Sequence, residues 1–225
     1  MTAKKLGILF SGGKDSTFAA WKAKKEGYEI SCLISILSKN PDSYMFHTPD
    51  IIQTRKQAIA MNLPIIEQKT EGKKEDELKD LEKSLIEAKK KYKIKGIVTG
   101  AVESAYQSIR IRKLCYELEL ECFNPLWLEN QRSLLEKLVK HKFKVIIVGV
   151  AAYPLGKEWL GREINKETIE ELKQLQEKFG INPSGEGGEF ETLVLNCPLF
   201  KKPLKIKNKK ISGKGNAWRM EVELE

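Results

Sequence analysis

The chain has 225 residues and carries 40 lysines and arginines against 31 aspartates and glutamates, a formal net charge of +9. A hydrophobic content of 41% is adequate for a real core in one large domain or two small ones, and no apolar run approaches the ~18 residues of a membrane span, so no membrane partner is expected. Four cysteines (Cys32, Cys115, Cys122, Cys197) without a C-x-x-C spacing argue against a zinc or dithiol site, and with no signal peptide at Met1 to Lys5 they fit a reducing cytoplasm. The positive balance is compatible with nucleic acid, an acidic protein or an anionic nucleotide, although from Lys73 to Lys95 the lysines alternate with glutamates as on a solvated helix face.

In chain order, Leu6 to Phe10 is a short apolar run of the kind a strand covered on both faces requires. Ser11-Gly12-Gly13-Lys14 turns the chain, Asp15 and Ser16 suit a first helical turn, and Phe18, Ala19, Ala20 and Trp21 continue as a helix that ends at Gly27. Tyr28 to Leu37 predicts a second strand, a loop follows from Ser38 to Pro49, and Asp50 is placed to cap a helix over Ile51 to Met61. Pro64 to Glu67 predicts a third strand, Glu75 to Tyr92 a helix with Leu78, Leu81, Leu85 and Ile86 near helical spacing, Gly96 to Gly100 a fourth strand, Glu103 to Leu118 a helix and Glu121 to Leu126 a fifth strand. Beyond Glu129 come a helix over Gln131 to Lys140, a strand over Phe143 to Val150, a helix over Lys166 to Phe179 stopped by Gly180, a strand from Phe190 to Leu195, and alternating stretches near Leu204 to Lys207 and Trp218 to Leu224 that predict antiparallel strands.

Strands alternating with helices imply a parallel sheet with right-handed crossovers, whose ligands sit beyond the carboxyl ends of the strands where strand order reverses. The glycine turn, Ser35 to Leu37 and Gly100 all follow strands in this reading and are therefore expected on one edge. A glycine turn leading into a helix N-terminus presents free N–H groups and a positive dipole end to phosphate. The Walker spacing and the Gly-x-Gly-x-x-Gly pattern are both absent. Ser11-Gly12-Gly13-Lys14-Asp15-Ser16 instead resembles the pyrophosphate loop of the N-type ATP pyrophosphatases, which split ATP into AMP and pyrophosphate.

A second constellation is Asn182-Pro183-Ser184-Gly185-Glu186-Gly187-Gly188-Glu189-Phe190-Glu191-Thr192, three carboxylates among glycines running into a strand. Clustered carboxylates suit a cation, a metal or a positively charged substrate, and the aromatics of this half (Trp127, Tyr153, Trp159, Phe190) suggest a face for a quaternary ammonium group. With His47-Thr48-Pro49, Gly100-Ala101-Val102, Tyr106-Gln107, Asn124-Pro125-Leu126-Trp127 and Trp159-Leu160-Gly161-Arg162, nearly the whole chain resembles the diphthine–ammonia ligase family, with Phe190 departing from a frequent tyrosine.

That resemblance implies an α/β protein in two parts. Residues 1–128 form a Rossmann-like parallel sheet of the HUP type that binds ATP, and residues 129–225 a second, smaller α/β domain for the substrate. It implies ATP-dependent amidation of diphthine on translation elongation factor two, with ammonium as nitrogen source and Mg²⁺ as cofactor. The implied nucleotide contacts are Ser11, Gly12, Gly13, Lys14, Asp15, Ser16, Ser35 and Gly100, with Lys14 adding charge and Asp15 placing Mg²⁺. Glu186, Glu189 and Glu191 are implied to bind the cation or take a proton from ammonium. His47, Tyr106, Gln107, Trp159, Gly187, Gly188 and Thr192 are the implied substrate contacts. The sequence leaves open a homodimer, a tRNA-modifying enzyme that adenylates a base with the same loop, and a non-catalytic ATP or AMP sensor. A thiolating enzyme is disfavoured because no cysteine pair is visible.

Overall fold

The computed structural model describes residues 3–38, 51–72 and 74–225, which fall into two compact units, Met1–Trp127 and Leu128–Glu225. His47 and Asp50 lie outside the described residues.

The first unit runs β1 (Lys5–Leu9), α1 (Lys14–Lys25), β2 (Glu29–Ser38), α2 (Ile51–Met61), β3 (Ile65–Thr70), α3 (Lys74–Tyr92), β4 (Gly96–Val98), α4 (Ala105–Glu117) and β5 (Glu121–Phe123). The five strands are all parallel, in the order β3-β2-β1-β4-β5. Parallel strands need crossovers, and the helices supply them while burying both sheet faces, which explains the unbroken apolar runs of β1 and β2. One face closes where Leu81, Leu85 and Ala88 of α3 and Ile111, Leu114 and Cys115 of α4 meet Cys32, Ile34, Ile36, Ile66 and Ile97 of the sheet. Truncating a fully buried leucine such as Leu81 or Leu85 to alanine should destabilise by about 2–5 kcal/mol.

Strand order reverses between β1 and β4, so the crevice at their carboxyl ends is where an open sheet of this type takes its ligand. Two expectations are corrected at this edge. Ser35 to Leu37 do not follow β2 but lie inside it, with Ser35 opposite Glu67 of β3, because the β3 partner extends the ladder to Ser38. The fifth strand stops at Phe123 rather than Leu126, because Asn124 to Trp127 close a turn in which the Trp127 N–H donates to the Asn124 carbonyl.

The second unit runs α5 (Gln131–Lys140), β6 (Lys144–Val150), a short 3₁₀ turn (Lys157–Trp159), α6 (Lys166–Phe179), β7 (Phe190–Asn196), β8 (Ile206–Lys214) and β9 (Ala217–Leu224). Its four strands are antiparallel in the order β7-β6-β9-β8. The side chains of Asn130 and Asn165 cap α5 and α6 by accepting from the N–H groups of Ser133 and Thr168, and Gly180 ends α6 with φ +71°. Alternation along β9 puts Met220, Val222 and Leu224 in the core with Ile146, Leu193 and Leu195, whereas β8 is an exposed edge.

Burial pushes the Cys32 and Cys197 thiols up to about 12 from an ordinary 9.0. The unfolded chain ionises these thiols from pH 9 upward while the folded chain keeps them protonated. The stability they permit is therefore complete below pH 9 and lost as pH rises toward 12, at on the order of 1 kcal/mol per thiol per pH unit. The urea midpoint should fall between pH 8.5 and 10.5, and Cys197→Ala should show a shallower fall; an equal slope for the two proteins would count against the thiol as its source.

Candidate active site

The glycine turn between β1 and α1 is built as a cradle. Gly13 occupies the N-cap position with extended backbone and no side-chain cap, so the first turn of α1 is left to the backbone. That is the arrangement in which helix N–H groups serve an anion. Ser11 and Ser16 tie the turn together. Their hydroxyls lie 3.1 Å apart, the Ser11 N–H points at Ser16 Oγ at 3.3 Å, and Thr17 Oγ1 donates to the Gly13 carbonyl at 2.8 Å. Gly12 has φ +80°, a conformation that favours glycine. Lys14 is buried, and its Nζ donates to Asp15 Oδ2 at 2.7 Å.

Gly100 meets this turn from β4. A Cβ there would lie 2.7 Å from the Ser16 nitrogen and 2.8 Å from the Asp15 carbonyl carbon. The residue makes a close approach, as its place at the strand end suggested, but its measured neighbour is the backbone of α1's first turn.

Sequence reasoning missed Gln57. From α2, fully buried, it donates its Nε2 to the Gly12 carbonyl at 2.9 Å and fills the space beside that glycine. The available signal was that Gln53, Thr54 and Gln57 share one helix face, and all three are buried. Among the described residues of this unit, Asp15 Oδ1, Ser35 Oγ and both polar atoms of the Asn124 carboxamide are buried without a hydrogen-bond partner. Asp15 lies in the first turn of α1, Asn124 directly follows β5, and Ser35 is within β2. Such atoms normally find a partner, and Asp15 Oδ1 is the one that belongs to the first turn of α1, at the phosphate-binding turn. A Mg²⁺ ion carried mainly by phosphate oxygens asks the protein for one or two carboxylate oxygens, and Asp15 Oδ1 fits that demand. No group of three or more His, Cys, Asp or Glu able to hold a metal occurs among the described residues.

In the second unit, the three glutamates have different environments. Glu189 is buried, and its carboxylate is fully engaged by its own loop. Oε1 accepts from the Asn182 N–H at 2.9 Å and from Asn182 Nδ2 at 2.7 Å, and Oε2 accepts from the Gly187 N–H at 2.8 Å. Gly185 and Gly188, both at positive φ, close the turn through the Gly188 N–H to the Gly185 carbonyl. Gln131, also missed, braces the loop from the start of α5. Its Oε1 accepts from Ser184 Oγ at 3.0 Å, and its Nε2 donates to Asn182 Oδ1 at 3.1 Å. Glu186 is half-buried, with Ser184 Oγ 3.5 Å from its Oε1. Glu191, at the start of β7, accepts from Arg219 Nη2 at 3.1 Å.

Among the described residues of the second unit, the aromatics do not gather into a cage. Trp159 is buried with the Arg162 guanidinium 4.2 Å from its ring centroid, and Arg162 is held in turn by Glu171, so that face is already occupied. Phe190 is buried opposite Val150, and Tyr153 is exposed with Phe179 edge-on at 5.3 Å. Trp127 belongs to the first unit. Tyr106, in the first turn of α4, packs against the core under the Arg110 guanidinium at 3.6 Å, and Gln107 follows it in the same turn. Gly187 and Gly188 are exposed within the glutamate loop, and Thr192 pairs with Ile147 in the sheet. A cysteine pair is present after all. Cys115 of α4 and Cys122 of β5 share a thiol hydrogen bond that raises Cys115 and lowers Cys122. The six residues between them had hidden a pair that only the α4–β5 return brings together.

Comparison with known proteins agrees with these two units. Residues 4–122 match the family described as "Diphthamide synthase N-terminal domain" and residues 130–223 that described as "Diphthamide synthase C-terminal domain". The Rattus norvegicus protein named diphthine–ammonia ligase is 34% identical over 221 residues, covering 90% of this chain and 82% of that one. Its Homo sapiens namesake is 32% identical over 226 residues, covering 92% and 84%. A solved structure described as a predicted subunit of tRNA methyltransferase from Methanocaldococcus jannaschii aligns at TM-score 0.44 and 18% identity, over 89% of this chain and 99% of that one, a likeness too slight to bear on activity. On the two matches that together span both units, the chain belongs to the diphthamide synthase family, the family of the diphthine–ammonia ligases.

Proposed function

We propose that this protein is an ATP-dependent ligase that converts the carboxylate of diphthine, on translation elongation factor two, to an amide with ammonium, releasing AMP and pyrophosphate. The observation that carries the reading is the uncapped, glycine-lined N-terminus of α1 at the strand-order reversal, a phosphate cradle in a chain of this family.

A carboxylate is a poor acyl donor because oxide would have to leave. Its oxygen attacks the α-phosphorus of ATP, the Pα–O–Pβ bond breaks, and pyrophosphate departs, leaving an acyl adenylate. Ammonia then attacks the carbonyl carbon, the C–N bond forms, and AMP leaves with the C–O bond pair. Gly12, Gly13 and the first-turn N–H groups of α1 bind the departing phosphates, Ser11 and Ser16 hold the turn's shape, and Lys14 supplies charge beside them. Asp15 Oδ1 would hold Mg²⁺, which neutralises phosphate charge. Ser35 and Gly100 border the nucleotide. Ammonium must lose a proton before it attacks, and a carboxylate of the glutamate loop accepts it. With Glu189 committed to its loop, that task falls to Glu186 or Glu191. The other binds the trimethylammonium group. Thr192, Gly187, Gly188 and Trp159 are assigned to the substrate in the second unit, and Tyr106, Gln107 and His47 in the first.

The test is product analysis with labelled ATP, ammonium, Mg²⁺ and diphthine-bearing elongation factor two. AMP and pyrophosphate should appear only with the modified factor, which should become about one mass unit lighter. Lys14→Ala and Ser16→Ala should lose adenylation by about 10²-fold or more, as expected when a transition-state contact is removed. AMP without amidation would point to another acceptor such as tRNA, and nucleotide binding without turnover to a sensor; either outcome overturns the reading.

A further inference from the structure

One stretch of the second unit carries positive charge alone. Seven lysines lie between residues 201 and 214, all exposed, and from Thr192 to Met220 the chain contains no aspartate or glutamate. They occupy β8 and the segment leading into it, at the open edge of the β7-β6-β9-β8 sheet. Guarding an edge strand against unwanted pairing needs less. Lys207 sits at the register shift between Ile206 and Asn208 and pairs with Glu223 at 3.2 Å, and a bulge with a charge already blunts an edge. Among the described residues Lys207 alone of the seven has an ion-pair partner, while Lys210 stands opposite Glu221 in the β8–β9 ladder.

The strip also lies in register with the glutamate loop. Phe190 of β7 stands opposite Val150 of β6, Val150 opposite Trp218 of β9, and Trp218 opposite Gly213 of β8. The end of β8 at Gly213 and Lys214 is therefore three strand spacings, about 14 Å, from the residue that follows Glu189. One protein–protein contact of standard size covers about 800 Å² per partner, roughly 30 Å across, and so reaches from the loop to the strip.

We propose that the β8 lysine strip is the docking surface for an acidic face of the protein substrate, holding it while its modified side chain enters the glutamate loop. This rests on the reading above that the acceptor is a protein side chain. An RNA occupant fits less well. The strip has no arginine, and its neighbouring aromatic, Trp218, donates its ring N–H to the Gly215 carbonyl at 2.7 Å and has the Lys157 ammonium 5.4 Å from its ring centroid.

The experiment compares the full chain with its triple variants Lys209→Glu/Lys210→Glu/Lys214→Glu and Lys209→Arg/Lys210→Arg/Lys214→Arg. Binding of diphthine-bearing elongation factor two is measured at 50 and 200 mM salt, alongside amidation of the intact factor and of a short peptide excised from it that carries diphthine. Charge reversal should weaken binding of the intact factor tenfold or more at low salt and flatten its salt dependence. It should leave kcat/KM for the peptide within twofold, and the arginine variant should bind like the wild type. Undiminished binding by the reversed variant, or an equal loss on the peptide, overturns the proposal while leaving the ligase reading intact. Total tRNA displacing the factor from the wild type but not from the reversed variant would make the strip an RNA surface and overturn it as well. A wild-type chain that forms no AMP with the factor is the separate signature of a failed ligase reading, and the docking proposal falls with it.

Discussion

Gly100→Ala should lose at least tenfold in ATP affinity and on the order of 10²-fold in adenylation. The added Cβ would lie 2.7 Å from the Ser16 nitrogen, 2.8 Å from the Asp15 carbonyl carbon and 2.9 Å from Ser16 Cα, all of them backbone atoms that cannot rotate aside. Ordinary contacts begin near 3.4 Å, so either the β4 end or the first turn of α1 must move by several tenths of an ångström. That movement falls on the N–H groups assigned to phosphate, where misplacements of this size are expensive. Overpacking of this kind destabilises by about 1–3 kcal/mol, so the variant should fold, with a lowered melting temperature. Isothermal titration with ATP and pyrophosphate release separate the two effects. Unchanged affinity in a destabilised protein would remove the cradle from the nucleotide site.

Glu189→Gln should impair the enzyme by loosening its loop rather than by removing a base. An amide in place of the carboxylate turns one acceptor oxygen into an NH₂ group facing a donor, either the Gly187 N–H or the paired donors of Asn182. A buried donor left without its acceptor destabilises by about 1–3 kcal/mol, which in a unit of this size lowers the melting temperature by roughly 4–8 °C per kcal/mol. Amidation should slow while its dependence on pH keeps the wild-type shape, because the proton acceptor is still present. Of Glu186→Gln and Glu191→Gln, the one that removes the base should slow amidation most at neutral pH and recover toward alkaline pH, where free ammonia needs no base. A Glu189→Gln variant with wild-type stability and a steepened rise of amidation with pH would reverse the assignment, making Glu189 the base.

The two variants also mark what could be read from the chain as a string and what could not. The strand–turn–helix around Gly12, the alternation of strands and helices to Phe123 and the helix over Lys166 to Phe179 were all readable, because each depends on neighbours within one or two turns. The glutamates were readable as a cluster for the same reason. Their division of labour was not. Glu189 differs from Glu186 and Glu191 because Asn182 folds back onto it and Gln131, 53 residues before Ser184, holds the return. Gln57 reaches Gly12 across 45 residues, and Arg162 covers a tryptophan that sequence reasoning would have offered to a cation.

By itself the sequence determined that this protein builds a parallel sheet with a phosphate-binding turn at its first strand, followed by a unit bearing an acidic glycine loop, since hydrophobic periodicity and short glycine motifs are local properties of the chain. Only the tertiary structure decided which polar groups are spent on holding those turns and which remain for chemistry. Hydrogen-bond partners are assigned by contacts between residues far apart in the chain, and a carboxylate, a glutamine or a glycine looks the same in sequence whether its neighbour is solvent, a substrate or another segment's backbone.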